Sequence, residues 1–168
     1  MWGLTMWLAL GATVWLLVKP RLHEAQPMLA ASLHLLMVLP FVALARLFLI
    51  NDTSVLHVAA FGGEDLPLKY RFAATWAARE GPLLMWLGWM SLVAWLWRRD
   101  LPGERGSTVD VHAWRLRFMH LMSLTVLLVA FSLDPFKATP PFFAGAGLNP
   151  VLQTDLMVIH PPLIFLTY

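Results

Sequence analysis

From Leu29 to Ile50 the chain carries one charged side chain, Arg46, in an otherwise apolar run. A helix rises about 1.5 Å per residue, so this stretch reaches the roughly 30 Å of a bilayer's hydrocarbon core. Such a segment must satisfy every backbone amide and carbonyl within itself, which leaves a membrane helix or a deeply buried core helix. The rest of the sequence decides between them. Apolar blocks recur at Met1 to Val18, Pro82 to Trp97 and Trp114 to Leu133, and a fifth opens near Leu156 and is cut off at Tyr168. With 59% hydrophobic and 13% charged residues and a mean hydropathy of +0.66, the 168-residue chain is read as a polytopic integral membrane protein, an all-α helical bundle. The last block is too short to cross alone, so an incomplete fragment of a larger protein is expected. The first block has no basic leader or small-residue cleavage site and is expected to stay in the membrane.

The net charge of +2 and pI of about 9.4 invite a nucleic-acid reading. The arginines, however, flank apolar blocks rather than form a patch, and the positive-inside rule accounts for them, so no nucleic-acid partner is expected. The chain has no cysteine, which excludes internal disulfides and thiolate metal sites. Dithiol chemistry would come from a partner.

Charge also chooses an orientation. Lys19 and Arg21 occupy the first connection, and Arg98, Arg99, Arg105, Arg115 and Arg117 occupy or flank the third. Lys69, Arg71 and Arg79 lie in the second connection and Lys137 in the fourth. The first group is the larger, which places the first and third connections in the cytoplasm and the N-terminus outside. The outer segments are then Asn51 to Gly81 and Asp134 to Asp155. The former holds a helix-compatible stretch from Tyr70 through Glu80, read as a short interfacial helix containing Trp76 and running into the third span. The latter, with Pro135, Pro140, Pro141, Gly145, Gly147 and Pro150, is read as a shaped, largely non-helical loop.

The polar residues offer few sites. His160 stands before Pro161 and Pro162 at the outer face. Its imidazole is either a haem or metal ligand or an interfacial side chain preceding a Pro-Pro helix start. His34 and His120 share a depth near the inner ends of their spans, either to clamp a cofactor or to bond a neighbouring helix, whereas His23, His57 and His112 are read as solvated. Arg46 either snorkels to the outer headgroups or pairs with a haem propionate. Trp86 and Trp89 share a helix face that suits a porphyrin, a lipid or an ordinary aromatic belt, and Glu80 is expected to pair with Arg79 or to supply a negative charge at a helix N-terminus. No nucleophilic triad, Walker loop, dinucleotide fingerprint or HExxH motif occurs.

Several separated motifs follow one order: Asn51-Asp52, Val55-Leu56, Val58-Ala59, Leu66-Pro67, Tyr70-Arg71, Ala73 to Trp76, Glu80-Gly81, Leu83-Leu84, Trp86, Pro135-Phe136, Leu148-Asn149-Pro150, Leu152-Gln153 and His160-Pro161-Pro162. In that order the chain resembles the N-terminal part of the CcmF family, membrane subunits of the cytochrome c haem lyase, and their relatives in nitrite reductase maturation. The resemblance implies haem b as the substrate group, His160 as its outer-face axial ligand, and a second haem held by a downstream region. Trp76, Trp86, Arg46 and Arg79 are then the candidate neighbours of the bound group. Arg79 stands where the family commonly has a histidine, and a guanidinium cannot ligate iron, so its part would be electrostatic. The implied partners are a haem chaperone, an apocytochrome c, a thiol-reducing lyase subunit, and the downstream portion of the same protein or a split partner carrying a tryptophan-rich WWD segment. The implied place is the bacterial inner membrane, with the chain alone expected not to catalyse ligation. The alternative is a haem-independent transporter or structural membrane subunit.

Overall fold

The computed structural model describes residues 2–99 and 110–167. Arg105, assigned above to the inner connection, lies outside the described residues. The elements are α1 (Leu4–Val18), α2 (Leu22–Ala25), α3 (Pro27–Leu49), α4 (Leu56–Phe61), α5 (Leu68–Ala74), α6 (Glu80–Leu96), α7 (Val111–Leu133), a 3-10 turn (Pro150–Leu152) and α8 (Asp155–Thr167). There is no sheet among the described residues, only one antiparallel bridge between Val55 and Ala138.

Local chemistry sets the ends. Pro20 follows α1 and cannot continue it. Pro27 opens α3 at a position whose missing amide hydrogen costs nothing. Asn51 closes that helix with φ 53°, and its neighbour Asp52 donates its amide to the Leu47 carbonyl. Asp110 caps α7 by accepting from the Ala113 amide at 2.9 Å, and Asp134, at φ 49° and followed by Pro135, ends it.

Four helices form the body. α1 packs on α3 and α7, and α6 packs on the same two, so the order around the bundle is α1, α3, α6, α7. Leu16, Met37, Leu44, Leu47, Phe48, Leu84, Leu87 and Leu127 fill the interior. The outward faces are apolar too: Trp7, Trp15, Leu35, Val42, Trp114, Phe118, Leu128 and Val129 are all exposed. Helices that are hydrophobic all round suit lipid on the outside, and α3 and α7, at 23 residues each, have the length and composition to cross it.

At one end of the body the two long connections are zipped together. The Leu56 amide donates to the Lys137 carbonyl (2.8 Å), Thr139 to Ser54 (2.9 Å) and Gly147 to Ala60 (3.1 Å). Gly145 permits this approach, because a Cβ there would lie 1.8 Å from the Ala59 carbonyl oxygen. The resulting platform carries α4 and α5, and α8 leans against α5 and α6.

Two expectations are corrected here. Tyr70 to Glu80 is not one helix: α5 stops at Ala74, the chain turns through residues 75–79, and α6 starts at Glu80. The turn brings Gly81 onto Thr75 so closely that a Cβ would sit 1.7 Å from the Thr75 carbonyl oxygen, a fold-back a continuous helix forbids. Nor do Pro161 and Pro162 begin a helix. They lie inside α8, whose start is set upstream, where the Thr154 hydroxyl accepts from the Met157 amide at 3.3 Å.

Candidate haem-facing site

α8 displays its sequence in two halves. Met157, Val158 and Phe165 pack against Ala73, Trp76 and Met85, while Leu156, Ile159 and Leu163 are exposed. His160 is exposed on the same helix, four residues after Leu156 and three before Leu163, so its imidazole stands within an open apolar stripe that the adjacent Ile159 borders.

The prolines after His160 explain how the helix is held. Pro161 has no amide hydrogen, so the Met157 carbonyl, four residues earlier, loses its helical donor. The indole Nε1 of Trp76 donates to that oxygen at 2.8 Å. The proline therefore creates the acceptor and the turn after α5 supplies the donor, joining two sequence motifs that are 81 residues apart. Lys69 adds an exposed ion pair of 2.5 Å to Asp155 at the start of α8, and that carboxylate raises the lysine's pKa. Trp86 is half-buried on α6 with its ring 6.4 Å from that of Phe165.

The other named residues sit apart from this arrangement. Arg46 is exposed near the end of α3, its guanidinium 5.5 Å from the centre of the Trp2 ring. Arg79 is exposed in the turn before α6 and makes no ion pair with Glu80, which takes the other of its two expected roles, an acid in the first turn of α6. Glu80 turns inward: one carboxylate oxygen is buried without a hydrogen-bond partner, and the residue lines a cavity of about 260 Å³ with His57, Asp134 and Lys137.

His57 is not solvated, and neither are His23 and His112. His57 lies between Phe48 and Phe61 with ring centres 5.1 and 5.6 Å away. Burial lowers its pKa, against the opposing pull of Glu80. At the far end of the bundle His23, His34, His112 and His120 come together, with ring centres of 6.1 Å for His23 to His34, 6.3 Å for His23 to His112 and 5.5 Å for His34 to His120. His34 shares a hydrogen bond of 3.0 Å with the Ser91 hydroxyl, and the Glu24 carboxylate lies 3.6 Å from His112. Among the described residues no three His, Asp or Glu side chains converge as a metal site requires. Sequence reasoning noticed the common depth of His34 and His120 but missed their partners. The available signal was that all four histidines belong to ends of helices or connections assigned to one membrane face.

The residues on α8 suit haem as a half-site. A ring nitrogen of the exposed imidazole suits an axial donor, and the exposed apolar residues beside it suit a macrocycle's face. All-α architecture and lipid-compatible outer faces define the class: a helical-bundle membrane protein.

No protein-family profile and no solved structure matches the chain. Curated relatives do. The cytochrome c-type biogenesis protein CcmF of Escherichia coli (strain K12) is 38% identical over 135 residues, 76% of this chain and 20% of that protein. The probable cytochrome c-type biogenesis protein NrfE of the same strain is 36% identical over 139 residues, 79% of this chain and 24% of the relative. The cytochrome c-type biogenesis protein CycK of Bradyrhizobium diazoefficiens is 33% identical over 134 residues, covering 76% and 19%. The chain therefore belongs to the CcmF/NrfE/CycK-type family of cytochrome c biogenesis membrane proteins, and spans about a fifth of the length of these relatives.

Proposed function

We propose that this chain forms the haem-presenting outer half-site of a cytochrome c maturation haem lyase in the bacterial inner membrane. One observation carries the reading: His160 stands exposed in an apolar stripe on a helix that is fixed from behind by the Trp76 to Met157 hydrogen bond. Haem b, when bound, would supply the vinyl groups that accept cysteine thiols of an apocytochrome. The chain's own residues hold and orient. His160 donates a ring nitrogen to iron, Leu156, Ile159 and Leu163 exclude water from the macrocycle, and Trp76 fixes the height of α8. Trp86 buttresses the same helix, whereas Arg46 and Arg79 are exposed cations available to propionates.

With no cysteine of its own, the chain needs a partner to reduce the apocytochrome thiols. A haem chaperone, the apocytochrome and further polypeptide carrying the second axial ligand complete the assembly. The platform of residues 51–81 and 134–155 faces the periplasm, and the end bearing Lys19, Arg21, Arg98 and Arg99 faces the cytoplasm.

The test is cytochrome c maturation by the complete assembly. His160→Ala leaves Pro161 and Pro162 in place, so insertion is expected to be normal while mature cytochrome falls at least about tenfold, with partial recovery on adding imidazole. Unchanged maturation would remove His160 from the reaction and favour a purely structural role for this region.

A further inference from the structure

At the end of the bundle opposite His160, a crevice of about 580 Å³ opens between α2, the first turn of α3 and the last turn of α6. It is lined by His23, Glu24, Pro27, Met28, Ala31, Trp95, Arg98 and Arg99. Three of its features attract an anion. The guanidinium of Arg98 lies 4.1 Å from the centre of the Trp95 ring and donates to the Trp95 carbonyl at 2.7 Å, leaving donors of its fork over. Arg99 is exposed, and neither arginine has a carboxylate partner among the described residues. The first turn of α3 lines the crevice through Pro27 and Met28, and its N-cap residue Gln26 gives the free amides after Pro27 no side-chain acceptor.

His23 is the independent sign that something polar belongs here. It is 7% exposed and lines the crevice, yet neither ring nitrogen has a hydrogen-bond partner. A buried polar group left unpaired is costly, so a ligand oxygen at this position removes a standing penalty. The charged and titratable groups around the ring are Glu24 on α2, His34 on α3, Arg98 after α6 and His112 on α7. Glu24, the one acid among the described residues lining the crevice, is bonded by Arg21 at 2.5 Å, which also holds both oxygens of Asp110 at 2.7 Å. The remaining wall is apolar. Met28 is 84% exposed, and Leu96 and Trp97 beside the arginines are exposed as well.

We propose that this crevice binds the phosphodiester headgroup of an anionic phospholipid, with Arg98, Arg99, His23 and the α3 N-terminus on the phosphate and Met28, Ala31 and Trp95 along the glycerol and acyl chain. The location favours a lipid over a free anion, because the crevice lies at the N-terminal end of α3, a helix of bilayer-crossing length, where headgroup phosphates lie. Occupancy ties α2, α3 and α6 together at the inner face. It does not depend on haem, so the two readings stand or fall separately.

The experiment is native mass spectrometry of the purified full chain in detergent with dioleoylphosphatidylglycerol or dioleoylphosphatidylcholine. Wild type is expected to retain the phosphatidylglycerol about tenfold better, a preference of about 1.4 kcal/mol. Arg98→Gln with Arg99→Gln will abolish the preference, and Arg99→Gln alone, at an exposed position that cannot disturb folding, will reduce it. Lys19→Gln removes a charge at the same end but outside the crevice and will leave it intact. Equal retention of the two lipids by wild type, or an unchanged preference in the double variant, overturns the proposal. So does full displacement by inorganic phosphate at about 10 mM, which would make the site one for a free anion.

Discussion

Trp76 and Pro161 show how much one side chain can decide in this protein. The indole is a good partner for a helical carbonyl only because a proline four residues later has withdrawn the usual donor. Trp76→Phe keeps the ring in the pocket of Phe72, Met85 and Met157 and removes only that bond. The expected loss is about 1 kcal/mol of stability, with faster hydrogen exchange confined to α8. Exchange rates in α8 equal to those of the native protein would show that the bond does not hold the helix. His23 and His57 act through protonation. Burial holds both below the ordinary histidine pKa of about 6.5, so the unfolded chain binds protons more readily than the folded one. Their neutral forms are accommodated above that pH, and stability is lost as pH falls from about 6.5 toward their lowered folded values. Thermal unfolding in micelles is therefore expected at lower temperature at pH 5 than at pH 7.5, with a smaller difference in His23→Gln and His57→Gln. A midpoint that rises on acidification contradicts the assignment.

Between elements, the constraints are steric. The turn after α5 doubles back so tightly that Gly81 touches the Thr75 carbonyl, and this fold-back aims Trp76 at α8. Gly81→Ala is expected to cost about 1 to 3 kcal/mol by forcing the backbone apart, whereas Gly11→Ala, with nothing within 4 Å of the added Cβ, will be neutral or slightly stabilising in denaturant or thermal unfolding. Equal effects at both positions would mean the fold-back is not rigid. The long apolar helices were legible because length and uniform hydropathy suffice for them. The break at Ala74 was not legible, since Tyr70 to Glu80 has ordinary helix formers and the interruption comes from a contact with Gly81 seen only in three dimensions. The role of Pro161 and Pro162 was misread for a related reason: prolines commonly open helices, but here they lie inside α8, where the Trp76 indole replaces a missing helical bond.

For the whole molecule, polar residues gather at the two ends and the apolar belt between them is exposed on every side. His23 and His112 at the arginine-rich end escaped sequence reading because membership in a connection suggested solvent, whereas α2 folds back onto α3 and both side chains are buried. Orientation is testable directly. Single cysteines from Gly63→Cys and Lys19→Cys are expected to react with an impermeant thiol reagent from opposite faces of intact cells or inverted vesicles, Gly63→Cys from the periplasmic side. Labelling of both from one face would refute the topology.

The central claim is that His160 ligates haem, and the haem content and absorption spectrum of the purified complete assembly test it most directly. The account predicts that His160→Ala loses outer-face haem and its ligand-field signature, that exogenous imidazole restores both, and that Trp76→Phe gives an intermediate loss with an unaltered signature in the haem that remains. The same haem content and spectrum in His160→Ala as in wild type would contradict it.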